Sequence, residues 1–181
     1  MFDPFRRETG VVFVLRFIRE NLWHRIREGV HVRDNVRVVL TDIHTGRQTV
    51  ISSHNISTNY EFSALSQWLA GKNNTGYQPL SPPTQIQLGS GAGTPAVTDT
   101  ALFSPIANTI TTMSNVTAGS PTAGTSTFTF QIAAGIVTVQ VTEAGLRDVS
   151  GNLWSHTMFG IPFTPSSTQT VTIQWEKTYS A

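Results

Sequence analysis

The sequence predicts a mainly β protein: an antiparallel, jelly-roll-like β-sandwich with an N-terminal amphipathic helical arm and a second short helix. Three observations carry that expectation. Charged residues make up only 13% of the 181-residue chain, about half the roughly 25% of an ordinary soluble domain, and Thr, Ser and Gly take their place. Apolar and hydroxyl-bearing residues alternate with a period of two in several runs after residue 80. Clusters of Gly, Pro and Ser separate those runs, as turns separate short strands.

Residues 9 to 28 read as the helical arm. Val11, Leu15, Ile18, Leu22 and Ile26 recur at spacings of three and four, and Phe13, Phe17 and Trp23 broaden that face. Arg16, Arg19, Arg25 and Arg27 occupy much of the remainder, and Gly29 is the stop signal. The β-branched start of this stretch, "VVFV", is also compatible with a strand. Nine of the twelve Lys and Arg lie within the first 47 residues, so the formal net charge of +1 hides a basic N-terminal part.

A β-hairpin comes next in "NVRVVLTDIHTGRQTVISSHN". Val36, Val38 and Leu40 alternate with Arg37, Val39 and Thr41, and "DIHTGRQ" supplies the turn, with Gly46 suited to positive φ. The second helix begins near Thr58. "TNYE" has the form of a capping box, in which the Thr58 hydroxyl takes an orphan N–H and Glu61 reaches back to the Thr58 N–H. Phe62, Leu65 and Leu69 share its apolar face, Trp68 adjoins, and Gly71 ends it. A polar, proline-closed loop, "KNNTGYQPLSPP", completes this part.

From residue 84 the clearest strands are "TQIQL", "STFTFQIAA", "IVTVQVTEA", "LWSHTMF" and "TQTVTIQWEKTY". In the last, Val171, Ile173 and Trp175 face one way. Phe128, Phe130 and Ile132 repeat the pattern, as do Val137, Val139 and Val141. One buried and one wet face is the mark of antiparallel sheets. The chain thus divides into an arm at 1–30, a hairpin plus short helix at 31–80, and a β-sandwich at 81–181.

The absence of cysteine excludes disulfides, thiolate metal sites and cysteine nucleophiles. The longest apolar run, "GVVFVLRFI", is too short to span a bilayer and precedes no small-residue cleavage site. We therefore expect no membrane insertion and no export signal. "IQLGSGAGTPAVTDTAL" raises the question of a phosphate-cradling loop. A dinucleotide fingerprint needs a long packed helix after its glycines, and a Walker loop needs Gly-Lys-Ser/Thr. Pro95 and the polar Thr98-Asp99-Thr100 stand there instead. Gly89, Gly91 and Gly93 are read as structural turns that let the backbone bend sharply after a strand, with Asp99 or Thr98 capping the short turn beyond.

The same stretch, "PPTQIQLGSGAGTPAVTDTAL", resembles a family of tailed-bacteriophage virion proteins often labelled tail fibre or minor structural proteins. Its members run as "P-T-x-I-x-L-G-x-G" and then "x-P-x-x-x-D-T-x-L". Further on they carry an "I/V-T-E-A-G-L" segment, matched by "VQVTEAGLRD" with Glu143, Ala144, Gly145 and Leu146. An aromatic strand ending in "F-x-P" comes after it, matched by "HTMFGIPFTP", and a Thr-rich strand such as "TVTIQWEKTYS" closes the series. "LTDIHTGRQTVISSHNISTN" and "ALSQWLAG" look like the family's lead-in hairpin and helix. The resemblance spans about residues 35 to 181 and rests on the order of the motifs. It leaves the basic arm outside.

Two constellations could carry chemistry. His44 and His54 lie near the hairpin with Asp42 and are candidate metal ligands; exposed loop histidines are the favoured reading, and no metal or cofactor is expected. Glu143 and Asp148 bracket "AGLR", and paired carboxylates hydrolyse glycosides when held at the right separation. A hydrogen-bonded carboxylate beside a turn, with Gly145 as a further structural turn, is the favoured reading. In the arm, Glu8, Glu20 and Glu28 dilute the positive charge, which disfavours nucleic acid and membrane surfaces. Val11, Leu15, Ile18, Leu22, Trp23 and Ile26 are expected to form a protein-docking face.

The resemblance then implies a non-enzymatic structural component of a tailed-phage virion, made in the bacterial cytoplasm. A tail-fibre or baseplate position is expected first, and a head decoration, head fibre or collar second. A polysaccharide-active fibre enzyme is the alternative from another class. Other virion proteins, further copies in a homotrimer and a host surface receptor are the expected partners.

Overall fold

β-Branched and aromatic residues alternating with hydroxyl and amide residues favour extended backbone with one dry face. The computed structural model describes residues 31–69, 81–118 and 124–180. These carry nine strands and one helix. The strands are β1 (His31–Asp42), β2 (Gln48–Ser57), β3 (Gln85–Gly89), β4 (Thr111–Thr112), β5 (Asn115–Ala118), β6 (Thr125–Ile132), β7 (Val141–Arg147), β8 (Leu153–Phe163) and β9 (Gln169–Ser180). The helix, α1 (Asn59–Leu69), lies between β2 and β3. The predicted arm at 1–30, with its docking residues Val11, Leu15, Ile18, Leu22, Trp23 and Ile26, lies outside the described residues.

The strands form one antiparallel sheet in the order β4-β3-β7-β8-β2-β1-β9-β6-β5. β2 joins its two halves by changing partner along its length. Gln48 to His54 pair with β1, whereas Asn55, Ile56 and Ser57 pair with Thr157, His156 and Ser155 of β8. The sheet curls about this strand, so that inward residues from both halves meet in one core. β1 and β2, predicted as a lead-in hairpin, therefore occupy the middle of the sheet.

Rows of cross-strand neighbours build that core. Val38 lies opposite both Ile51 and Ile173, and Ile173 opposite Phe130. Val36, Trp175 and Phe128 form the next row; Leu40, Val171 and Ile132 form the one on the other side. The predicted parity of β6 and β9 is thus observed: Phe130, Ile132, Val171, Ile173 and Trp175 are buried. From the far half, Ile86 and Leu88 of β3 and Ala144 and Leu146 of β7 join the same cluster. Gly46 has φ 69° in the β1–β2 turn, as its place in "HTGR" predicts.

Three expectations change. β7 begins only at Val141, and Val139 is 49% exposed while Val137 and Val141 are buried. Gly135, at φ 80°, turns the chain just before, so the run from 136 to 140 is loop, without strand alternation. Second, α1 buries Glu61 and Ala64, whereas Phe62 is 44% exposed. The helix packs on β8 with Glu61 and Ala64 inward because a buried lysine waits beneath it.

Third, the capping box does not form. The Thr58 N–H donates to Trp154 O (2.9 Å), the Asn59 N–H to Val97 O (2.6 Å), and the Thr58 hydroxyl to Leu153 O (2.5 Å). The Glu61 carboxylate is drawn to the lysine ammonium, a stronger partner than a backbone amide.

Phe130 sits at 0% exposure with β9 beside it. Phe130→Ala should lower the unfolding free energy by about 3–5 kcal/mol, read from urea denaturation followed by tryptophan fluorescence. A loss under about 1 kcal/mol would show that this row does not anchor the core.

Candidate functional site: two buried polar clusters

Neighbouring strands place residues of equal parity on the same face, so Glu143 and Gly145 of β7 share a side with His156 of β8. That side is opposite the core. It is covered by the chain from 90 to 109, whose Leu102 is buried.

Glu143 is fully buried and locks this covering segment down. Its Oε1 accepts the N–H groups of Gly91 (3.0 Å) and Ser104 (2.8 Å), and its Oε2 accepts that of Phe103 (3.0 Å). His156 Nε2 stands 2.8 Å from Oε2, and its Nδ1 stands 2.7 Å from Asp99 Oδ2. Asp99 in turn accepts the Ala96 N–H (2.9 Å), and the Phe103 ring leans on the imidazole with centroids 4.8 Å apart. Burial opposes ionisation of Glu143, but the backbone N–H groups of Ser104, Phe103 and Gly91, together with His156, outweigh it. They hold the carboxyl below its ordinary value. Asp99, read with Thr98 as a cap for the short turn beyond the glycines, closes the 96–99 turn from its far end and ties it to β8.

The glycines act here by their size. None of Gly89, Gly91, Gly93 and Gly145 has positive φ. A Cβ on Gly89 would overlap the Glu143 side chain, and one on Gly91 would lie 2.5 Å from Phe103 Cβ and 2.6 Å from Glu143 Oε1. On Gly93 it would meet the Phe103 ring at 2.7 Å, and on Gly145 it would meet Leu153 Cδ1 at 2.6 Å. The predicted sharp turns are in fact close approaches of backbone to a buried carboxylate and its apolar cover.

The second cluster was not legible as a motif. Lys177 of β9 is fully buried at one end of the core. Its Nζ donates to Asp34 Oδ2 of β1 (2.5 Å), to Glu61 Oε1 and Oε2 of α1 (3.0 and 2.8 Å), and to Ser155 Oγ of β8 (2.6 Å). Asn55 Nδ2 (2.5 Å) and Trp175 Nε1 (3.3 Å) also donate to Asp34 Oδ2. Tyr179 OH donates to Glu61 Oε1 at 3.3 Å. Burial, followed by the charges of Glu61 and Asp34, pushes the Tyr179 phenol well up. The available signal was parity: Lys177 continues the inward series Val171, Ile173, Trp175, and Asp34 continues Val36, Val38, Leu40.

The other candidates separate. Asp148 is buried at the β7–β8 turn, where it accepts the Asn152 N–H (2.9 Å), Asn152 Nδ2 (2.8 Å) and Tyr60 OH (2.9 Å). Desolvation and this hydrogen bond push the Tyr60 phenol up to about 12. Asp148 lies just past the end of β7, beyond Glu143 by roughly 16 Å of extended backbone at ~3.3 Å per residue, and the two carboxylates have no hydrogen-bond partner in common. Glycosidase carboxylates stand roughly 5–10 Å apart, so this pair shares no site.

Asp42 takes the Thr168 hydroxyl (2.7 Å), the Thr45 N–H (2.8 Å) and hydroxyl (2.9 Å), and the His44 N–H (3.1 Å). Those bonds hold its carboxyl well below the usual range and commit it to the hairpin turn. Among the described residues no three His, Asp or Glu side chains gather as a metal would require, and no helix is long and apolar enough to cross a membrane. An open polar groove of about 490 Å³ runs along the outer face of β2, β1 and β9, where Arg37 Nη1 donates to Gln174 Oε1 (2.9 Å).

Two measurements test the Glu143 lock. Gly91→Ala should cost about 1–3 kcal/mol of stability, whereas Gly160→Ala, with nothing near its added Cβ, should be nearly neutral; equal effects would refute the close-approach account. The Glu143 carboxyl titrates below its ordinary 4.5 when folded, so the unfolded chain binds its proton first as pH falls. The stabilisation is complete above that value and is lost as pH drops through the folded one. The stability gap between wild type and Glu143→Gln should therefore be widest near about pH 7 and narrow toward about pH 3, and a pH-independent gap would contradict this.

The chain matches no protein-family model, no curated protein and no solved structure.

Proposed function

We propose that this protein is a non-enzymatic structural component of a tailed-phage virion, positioned in a tail fibre or baseplate. Residues 1–30 fasten it to another particle protein through Val11, Leu15, Ile18, Leu22, Trp23 and Ile26. In this reading the two halves of the curled sheet serve as the layers of a jelly-roll-like sandwich, and β2 is the corner between them.

The observation that carries the proposal is the convergence of the phage-like motifs on one lock. The "L-G-x-G" glycines, the Asp of "D-T-x-L" and the Glu of "T-E-A-G-L" are Gly89, Gly91, Asp99 and Glu143; the glycines close on Glu143, and His156 joins Glu143 to Asp99. A motif series whose members brace one another describes a scaffold. Three backbone N–H groups and the His156 ring occupy both Glu143 oxygens in a fully buried place, which favours bracing over attack on a substrate. Among the described residues the sheet ends in β4 and β5, and Val116 on β5 is 48% exposed. Such edges suit contacts with further copies, as in a homotrimer, or with other virion proteins.

Immunogold labelling of phage particles should place the protein at the tail tip; label on the head or collar would move it to a decoration or collar role. Deleting residues 1–30 should leave the β-domain folded by circular dichroism and drop virion occupancy at least tenfold, and normal occupancy would overturn the docking role. Purified protein incubated with host polysaccharide should release no new reducing ends. A signal abolished by Glu143→Gln would instead establish an enzyme.

A further inference from the structure

The cluster around Lys177 holds an amine, a carboxyl carbon and a proton carrier in one dry place. Asp34 and Lys177 are direct cross-strand partners in the β1–β9 pair. Lys177 Nζ lies 2.5 Å from Asp34 Oδ2, and Glu61 Oε2 lies 2.8 Å from the same nitrogen. The Ser155 hydroxyl spans Glu61 Oε2 (3.0 Å) and Asp34 Oδ2 (3.2 Å). Donors crowd a single oxygen of the aspartate: Lys177, Asn55, Ser155 and Trp175 all address Oδ2, while Oδ1 is buried with no hydrogen-bond partner. Trp175 and Tyr179 wall the cluster, and Lys177 and Glu61 have no exposed surface.

We propose that Lys177 and Asp34 condense to an intramolecular amide that clasps β1 to β9, with Glu61 as the catalytic proton carrier. Nζ attacks Cγ of Asp34; the Nζ–Cγ bond forms and the Cγ–Oδ2 bond breaks. Glu61 Oε2 takes protons from Nζ, and Ser155 hands them on to Oδ2. Of the three ammonium hydrogens, one stays on the amide nitrogen and two leave with Oδ2 as water. The ammonium and the aspartate carboxylate are both consumed, Glu61 is regenerated, and no oxidant, reductant or activated donor is needed.

Three physical terms drive the step. Fixing the reacting groups side by side makes it effectively unimolecular. Exclusion of bulk water disfavours the reverse hydrolysis. Converting two buried charges into a neutral amide removes their desolvation penalty. The clasp closes a span of 143 residues, which encloses nearly all of the described chain. It does not depend on the virion role.

Intact mass of the denatured full-length protein tests this. The wild type should fall short of its sequence mass by one water. Trypsin should yield the peptide 34–37 joined to the peptide 148–181, uncut after Lys177 because that amine has become an amide. Glu61→Gln and Lys177→Arg should both keep full mass, with circular dichroism confirming the fold. Asp34→Asn should condense with loss of ammonia and finish at the same mass as the mature wild type, a coincidence that an ion cluster cannot produce. Wild type at full sequence mass after prolonged incubation, with ordinary cleavage after Lys177, would overturn the proposal whether or not the variants fold. So would a water loss mapped to other residues.

Discussion

Side chains alternate between the faces of a strand, so Lys177 of β9 shares the inward face with Val171, Ile173 and Trp175, and all four are buried. An ammonium taken out of water is costly unless paired and hydrogen-bonded. Much of the architecture at that end of the core answers this demand. Asp34 occupies the inward position directly opposite on β1, Ser155 comes from β8, and α1 turns Glu61 inward at the expense of Phe62. The helix thus packs by charge at one position and by Ala64 at the next inward one.

The outer face of β7 and β8 obeys a different logic with the same requirement. There a carboxylate, Glu143, is buried, and it is satisfied mainly by backbone N–H groups from the segment laid over it. Three such bonds and an imidazole fix the position of a stretch with little regular structure of its own. The glycines make the approach possible, and Leu102 and Phe103 seal it. Backbone bonds to the end of β3, Ser90 N–H to Ser104 O (2.8 Å) and Ile106 N–H to Leu88 O (2.9 Å), complete the segment's attachment.

The two clusters lie on opposite faces of the β8 strand, which contributes Ser155 to one and its neighbour His156 to the other. β8 also pairs with the end of β2, where the sheet passes from one half to the other. Polar satisfaction on both sides therefore converges on the strand next to β2, which joins the halves.

Much of the fold was legible in the sequence, because its signals are local. Period-two alternation located β1, β6 and β9 with their inward residues, Gly46 located the hairpin turn, and the run after it located β2. Local signals failed where a distant group won the competition. The capping box lost Glu61 to Lys177, 116 positions away, and the glycines of "GSGAG" answer to Glu143 and Phe103, not to their own turn. The two-residue β4 and the four-residue β5 are too short to carry a periodic signal. By itself the sequence determined a mainly β chain, the parity of its long strands and the absence of thiol chemistry. Only the tertiary structure decided that the strands join in one curled sheet and which partners the buried charges find. Pairing order and charge matching depend on contacts between residues far apart in the chain, and spacing along it does not encode them.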